Sequence, residues 1–175
     1  MGDKKLGVQL WCARSKGVSL DPSKVRPVRY GFRKPSGGIW TSTFTPDKEF
    51  CSEWIEWVCR EGLKEWATGN CVLVEPDEDE RIYTIDSAED LEKLYEKYPV
   101  VFNGIRDVNW PLVCRDFDAI HLTSRGQWCT RYKTPKYGHS LNLYGWDAES
   151  TFWCRPKFKI RPLPKDLRCK LTCEE

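Results

Sequence analysis

The stretch Gly37-Gly38-Ile39-Trp40-Thr41-Ser42-Thr43-Phe44-Thr45-Pro46-Asp47 sets a strand directly against a helix start. The two glycines mark a turn. The β-branched and aromatic run Ile39–Phe44 reads as a strand. Thr45 is a suitable N-cap, Pro46 suits the first helical position, and Asp47 and Glu49 complement the helix dipole. Phe50, Cys51, Trp54, Ile55, Trp57 and Val58 then recur at helical spacing, so the sequence predicts a helix from Thr45 to about Ala67, ended near Gly69-Asn70. Glu49, Glu53, Glu56 and Arg60 fall on its other face.

The same reading extends outward. Val8–Ala13 reads as a first strand, and residues 15–36 as a long basic loop with a short strand at Val28–Phe32. Cys71–Val74 and Arg81–Ile85 are strands flanking a charged turn. Ser87 caps a second helix with Asp90 at its third position, a buried stripe of Leu91, Leu94, Tyr95 and Tyr98, and a stop at Pro99. A short helix is expected around Leu112-Val113, strands at 117–122 and 150–154, and a polar loop over 123–140. Strands and helices mix without βαβ alternation, so the expected fold class is α+β with two main helices in a single domain over residues 1–175.

Composition narrows the function classes. Of 175 residues, 40% are hydrophobic and 31% charged, which excludes a disordered, collagen-like or integral membrane chain. The net charge is only +2, so nothing demands nucleic acid or an anionic membrane. The charge is nonetheless segregated. Residues 1–40 carry nine Lys/Arg against two Asp/Glu, residues 41–98 six against sixteen, and residues 99–175 thirteen against eight. Nine Trp against one Met suggest a large-residue core and an aromatic surface. The nine cysteines form no CxxC, and no apolar run follows Met1-Gly2-Asp3-Lys4-Lys5. The expectation is free, mostly buried thiols and a cytoplasmic location. A zinc site built on Cys169 and Cys173 would lack recognisable partner spacing, so no metal site is assigned.

No phosphate loop, HExxH or GxSxG is present, and two His leave little room for His-based catalysis. Two segments carry the remaining chemistry. One is the hydroxyl cluster Trp40-Thr41-Ser42-Thr43. The other is Gly145-Trp146-Asp147-Ala148-Glu149-Ser150, where Asp147 and Glu149 stand two apart at the mouth of a strand. In an extended chain both would face one ligand, a pairing suited to an oxocarbenium-like reaction.

The order of these segments resembles the ADP-ribosyltransferase superfamily. That pattern has an early strand ending in Arg or His, an aromatic-Ser-Thr-Ser strand before a helix, and a late acid-x-Glu strand. Here these read Trp11-Cys12-Ala13-Arg14, Trp40-Thr41-Ser42-Thr43 and Asp147-Ala148-Glu149. The resemblance implies a small split mixed β-sheet. It implies NAD as substrate, bound by Arg14 (with Arg29 as the alternative), Trp40, Thr41, Ser42 and Thr43. Glu149 would stabilise the oxocarbenium ion and Asp147 would orient a macromolecular acceptor, a protein rather than nucleic acid. Thr41 stands where the family has Ser, and Asp147 is one methylene shorter than the usual Glu or Gln. The competing expectation is a non-catalytic binding or assembly protein on the same fold, such as a bacteriophage accessory or virion component. A nucleic-acid platform of Arg125, Trp128, Arg131, Tyr132, Lys133 and Lys136 is a third.

Overall fold

A computed structural model describes residues 5–67 and 70–173. The strands are β1 (Gln9–Cys12), β2 (Ile39–Thr43), β3 (Cys71–Pro76), β4 (Ile82–Ile85), β5 (Pro99–Phe102), β6 (Ile105–Val108), β7 (Ala119–Leu122), β8 (Ser150–Trp153) and β9 (Phe158–Arg161). The helices are α1 (Glu53–Arg60), α2 (Ala88–Lys97), α3 (Trp110–Asp116) and α4 (Ser124–Thr130). The fold is mixed α+β, as expected. Seven strands form one sheet in the order β4-β7-β8-β2-β1-β3-β9, and β5-β6 is a separate hairpin. Among the described strands, only β4 and β7 pair in parallel. The β1–β2 junction consists of two residue pairs, Gln9↔Thr43 and Leu10↔Ser42, so β1-β3-β9 joins the rest by a short seam.

One core packs α2 and α3 against β4, β7 and β8 through Leu91, Leu94, Trp110, Val113, Ile120, Leu122 and Phe152. A second packs α1 against β1 and β3 through Leu10, Cys51, Ile55 and Val58. Ile39, Val74, Ala119, Trp153 and Phe158 form a third. The second predicted helix stands as read: Ser87 Oγ accepts from the Asp90 N–H at 3.3 Å, while Asp90 Oδ2 accepts from the Asp86 N–H at 3.2 Å. The strand expected over Val28–Phe32 is only a bridge between Arg29 and Ser36.

The first predicted helix is shorter than expected. It starts at Glu53, capped by Ser52, and Gly62 breaks its path with φ 72°. Residues 45–51 instead fold into a closed turn, in which the Lys48 N–H donates to the Thr45 carbonyl and the Thr45 N–H to the Cys51 carbonyl, while the Cys51 N–H donates to the Lys170 carbonyl and the Lys170 N–H to the Glu49 carbonyl. These tertiary bonds, together with a bridge between Phe50 and Lys170, outweigh the Thr45-Pro46 start signal. Its inward face centres on Ile55 and Val58, while Trp54 and Trp57 are half-buried. The predicted stop at Gly69 lies outside the described residues. The expected polar loop over 123–140 opens with α4, because Thr123 accepts from the Gly126 N–H at 3.0 Å and starts a helix.

The thiol expectation is overturned. Eight cysteines are paired as Cys12–Cys71, Cys51–Cys169, Cys59–Cys173 and Cys114–Cys154, leaving Cys129 free and exposed. Disulfides persist in oxidising surroundings, so the cytoplasmic expectation is corrected to an extracellular or secretory one. The pairs join residues 40 to 118 positions apart, which is why no local spacing announced them. Cys169 and Cys173 are both used, and among the described residues no cluster of His, Cys, Asp and Glu could hold a metal. No described helix is long and apolar enough to cross a membrane.

Candidate functional site

Sheet register brings together residues far apart in sequence. Thr41 opposes Thr151, which opposes His121, and Gln9 opposes Thr43. Directly opposed residues share a face, so these five polar side chains lie on one face of β7, β8, β2 and β1. The β2–β8 pairing ends at Thr41↔Thr151, two residues before the end of β2. The Thr43 N–H is therefore left without a strand partner on that side, and Glu149, just ahead of β8, takes it.

Glu149 Oε2 accepts from the Thr43 N–H at 2.9 Å and from Ser42 Oγ at 2.7 Å, and Oε1 accepts from Thr43 Oγ1 at 2.8 Å. Ser42 and Thr43 point to opposite faces of β2, so the carboxylate straddles the strand edge. The residue is 5% exposed. Burial pushes its carboxyl above the usual glutamate range, the three hydrogen bonds pull the other way, and the charge of Glu53 adds to the upward push. Glu53 opens α1, and its Oε1 accepts from Ser124 Oγ at the start of α4. The two helix starts thus meet beside the carboxylate.

Gln9, which no sequence motif singled out, is the hub of the network. It is wholly buried. Its Oε1 accepts from Thr151 Oγ1 at 2.8 Å and Thr41 Oγ1 at 3.3 Å, and its Nε2 donates to the Gly7 carbonyl at 3.0 Å and Thr43 Oγ1 at 3.1 Å. Trp153 Nε1 donates to Thr41 Oγ1 at 2.9 Å. His121 Nδ1 lies 2.9 Å from Thr151 Oγ1 and 3.6 Å from Glu149 Oε1. The Thr151 hydroxyl proton is committed to Gln9, so His121 Nδ1 is the protonated nitrogen of that contact. A polar residue in the run Val8-Gln9-Leu10-Trp11-Cys12 was the one available signal for this hub.

Of the residues expected to form the site, Ser42, Thr43 and Glu149 meet directly, and Thr41 joins through Gln9. Trp40 is half-buried, with its ring edge-on to Trp146 at 4.8 Å and tilted against Phe152 at 4.9 Å. Asp147 does not share the Glu149 ligand face. Strand β8 begins only at Ser150, so the i, i+2 geometry does not reach back to it, and its carboxylate lies 3.9 Å from Arg131. Arg14 lies beyond the far end of β1, five residues or ~16 Å along an extended chain from Gln9, with its guanidinium over the Trp66 ring at 4.1 Å. Arg29 is exposed at its bridge to Ser36. Neither arginine pairs with Glu149.

Comparison of the chain with protein families, with curated proteins and with solved structures returns no match. The chemistry of the site therefore rests on its own geometry. A carboxylate fixed by three donors is pre-organised, so it can stabilise positive charge developing at its edge without first reorienting.

Proposed function

We propose that the chain is an ADP-ribosyltransferase-like protein that splits the nicotinamide–ribose bond of NAD and transfers ADP-ribose to a protein acceptor outside the cytoplasm. The supporting observation is the convergence of Ser42, Thr43 and Glu149, 106 and 107 positions apart, through three hydrogen bonds. In this reading the C–N bond breaks with its electron pair, nicotinamide leaves neutral, and the ribose carbon becomes oxocarbenium-like. Glu149 stabilises that cation. An acceptor nucleophile then supplies the electron pair for the new bond and loses its proton. Thr43 and Gln9 keep the Glu149 carboxylate turned toward the strand edge, and Asp147 would orient the acceptor.

The test is incubation with NAD and measurement of free nicotinamide. Glu149→Gln keeps size and removes charge, so turnover should fall on the order of 10²–10³-fold with NAD affinity little changed. Equal turnover would remove Glu149 from the chemistry.

A second reading, a non-catalytic binding protein on the same architecture, is favoured by the placement of Arg14 on Trp66 and by the 5% exposure of Glu149. Absence of both NAD binding and nicotinamide release in the wild type would select it.

A further inference from the structure

A cavity of about 320 Å³ is lined by Phe32, Arg33, Arg131, Tyr132, Asn142 and Tyr144. None of these residues belongs to the Glu149 network. Three of its walls are aromatic rings that folding leaves in water: Tyr132 and Tyr144 are each 63% exposed and Phe32 47%. The two tyrosine rings stand 6.5 Å apart and tilted by 40°. That is an ordinary separation for an aromatic pair in contact, so a planar ring stacks on an exposed face of one or the other.

The other two walls are guanidiniums. Arg131 follows α4, and its Nε is buried with no hydrogen-bond partner among the described residues. Its terminal nitrogen lies 3.9 Å from Asp147, too long for a direct hydrogen bond. Arg33 adopts a left-handed backbone, φ 63°, which an arginine holds only where its surroundings impose it. Here the Arg33 N–H donates to Asp107 Oδ2 at 2.7 Å, and the buried Asp107 also accepts from Tyr30. The cavity floor is stiff as well. Asn142 Nδ2 donates to the His139 carbonyl and its Oδ1 accepts from the Tyr144 N–H, both at 3.1 Å, while Arg33 donates to the same His139 carbonyl at 3.3 Å.

Exposed rings beside an under-paired guanidinium suit a ligand that is both planar and anionic. A neutral sugar would leave the Arg131 guanidinium with only its long Asp147 contact and the Tyr132 ring 5.7 Å away, and a bare anion would leave the rings in water. We propose that this cavity binds a nucleoside monophosphate or another planar aromatic phosphate, its ring taken by Tyr132 and Tyr144 and its phosphate by Arg131 and Arg33. The inference is independent of the NAD reading and stands or falls separately from it.

The test is calorimetric titration of the disulfide-bonded protein with AMP, adenosine and inorganic phosphate at low salt. AMP should bind at least about tenfold tighter than either half alone, since stacking and a charge-assisted bond act together. Tyr144→Ala should weaken AMP about 5- to 100-fold, as loss of one stacking ring does. Arg131→Met keeps the stem, removes the donors, and should weaken AMP about tenfold while leaving adenosine unchanged. Unaltered thermal unfolding of both variants separates these effects from misfolding. A short single-stranded oligonucleotide that binds tighter than AMP and is lost in the same variants would support the same chemistry with a polynucleotide as its source. AMP binding no tighter than adenosine and phosphate, or indifferent to both variants, would overturn the proposal. So would loss of AMP binding in Ser42→Ala equal to that in Tyr144→Ala, which would put the ligand in the Glu149 network.

Discussion

Cys51–Cys169 and Cys59–Cys173 fasten the C-terminal segment to the start and to the end of α1. They clamp nearly the same two stretches of chain, so their effects on stability are coupled in a calculable way. With Cys59–Cys173 intact, replacing Cys51 and Cys169 by Ala releases a small ring, because Cys51 and Cys59 are eight positions apart and Cys169 and Cys173 four. The entropy of closing a ring of about twelve residues in the unfolded chain corresponds to about 3 kcal/mol. Removing the second pair as well opens a ring of about 75 residues, because Cys114–Cys154 short-cuts 40 of the 114 positions involved, and that corresponds to about 4.5 kcal/mol. Both together approach 7.5 kcal/mol, within the ~5–15 kcal/mol that holds an ordinary domain folded. Either single-pair variant should therefore fold, and the variant lacking both should be largely unfolded or nearly so. The assay is guanidinium unfolding of the oxidised protein, read by tryptophan fluorescence. Comparing each single-pair variant with the joint one cancels the packing lost at each site and isolates a coupling of about 1.5 kcal/mol. Strictly additive costs would refute the ring argument. More than one reactive thiol in unfolded, unreduced protein would refute the pairing itself.

Gln9→Leu should cost about 2–4 kcal/mol in urea unfolding, because it leaves the buried hydroxyls of Thr41 and Thr151 without their shared acceptor; a cost below about 0.5 kcal/mol would show that the hub is dispensable. Glu149 should make stability respond to acid in an unusual direction. Its folded carboxyl binds a proton more readily than the unfolded one, so its contribution is complete below the unfolded value and is lost as pH rises through the folded one. Wild type should gain stability relative to Glu149→Gln as pH falls from neutral into the glutamate range, and a pH-independent difference would contradict the burial argument. Asp118 should act oppositely. Burial opposes its charge, but the Arg81 N–H and the Arg155 and Arg81 guanidiniums lower it overall, so its contribution is present at neutral pH and lost on acidification. Asp118→Asn should flatten that loss in the same measurement, and an unchanged acid limb would count against it. Gly126→Ala should dislodge α4 from β4, because a Cβ there meets the Ile85 carbonyl; an unchanged melting temperature would show that the helix yields freely.

Most strands were legible because β-branched and aromatic runs alternate between turn residues, and Ser42, Thr43 and Glu149 were found from the order of their segments. The start of α1 was not, because the bond between Cys51 and the C-terminal segment is invisible to local spacing. Asp147 was assigned to the ligand face on the assumption that the chain is extended from residue 147, whereas the strand begins three residues later. Arg14 was placed by its nearness to β1 in sequence, and the strand ends before reaching it. Gln9 and His121 act through cross-strand register, which one sequence does not disclose. The hairpin β5-β6 was missed because Val101, Phe102 and Ile105 stay exposed and follow no inside–outside alternation.

The hydrogen bonds around Gln9 all run one way. Trp153 donates to Thr41 and His121 to Thr151, both hydroxyls donate to the Gln9 oxygen, and the Gln9 nitrogen donates to Thr43, which donates to Glu149. The Gly7 carbonyl accepts the second proton of that nitrogen and locks the amide against turning over. The donor–acceptor direction of the whole network is set by the orientation of the Gln9 amide. Glutamate at position 9, matched to Gln9 in shape, would set an oxygen against the Gly7 carbonyl and a second negative charge two bonds upstream of Glu149. The mildest-looking exchange in this strand is therefore among those the molecule should tolerate least, and leucine, which differs far more in chemistry, should be easier to accommodate.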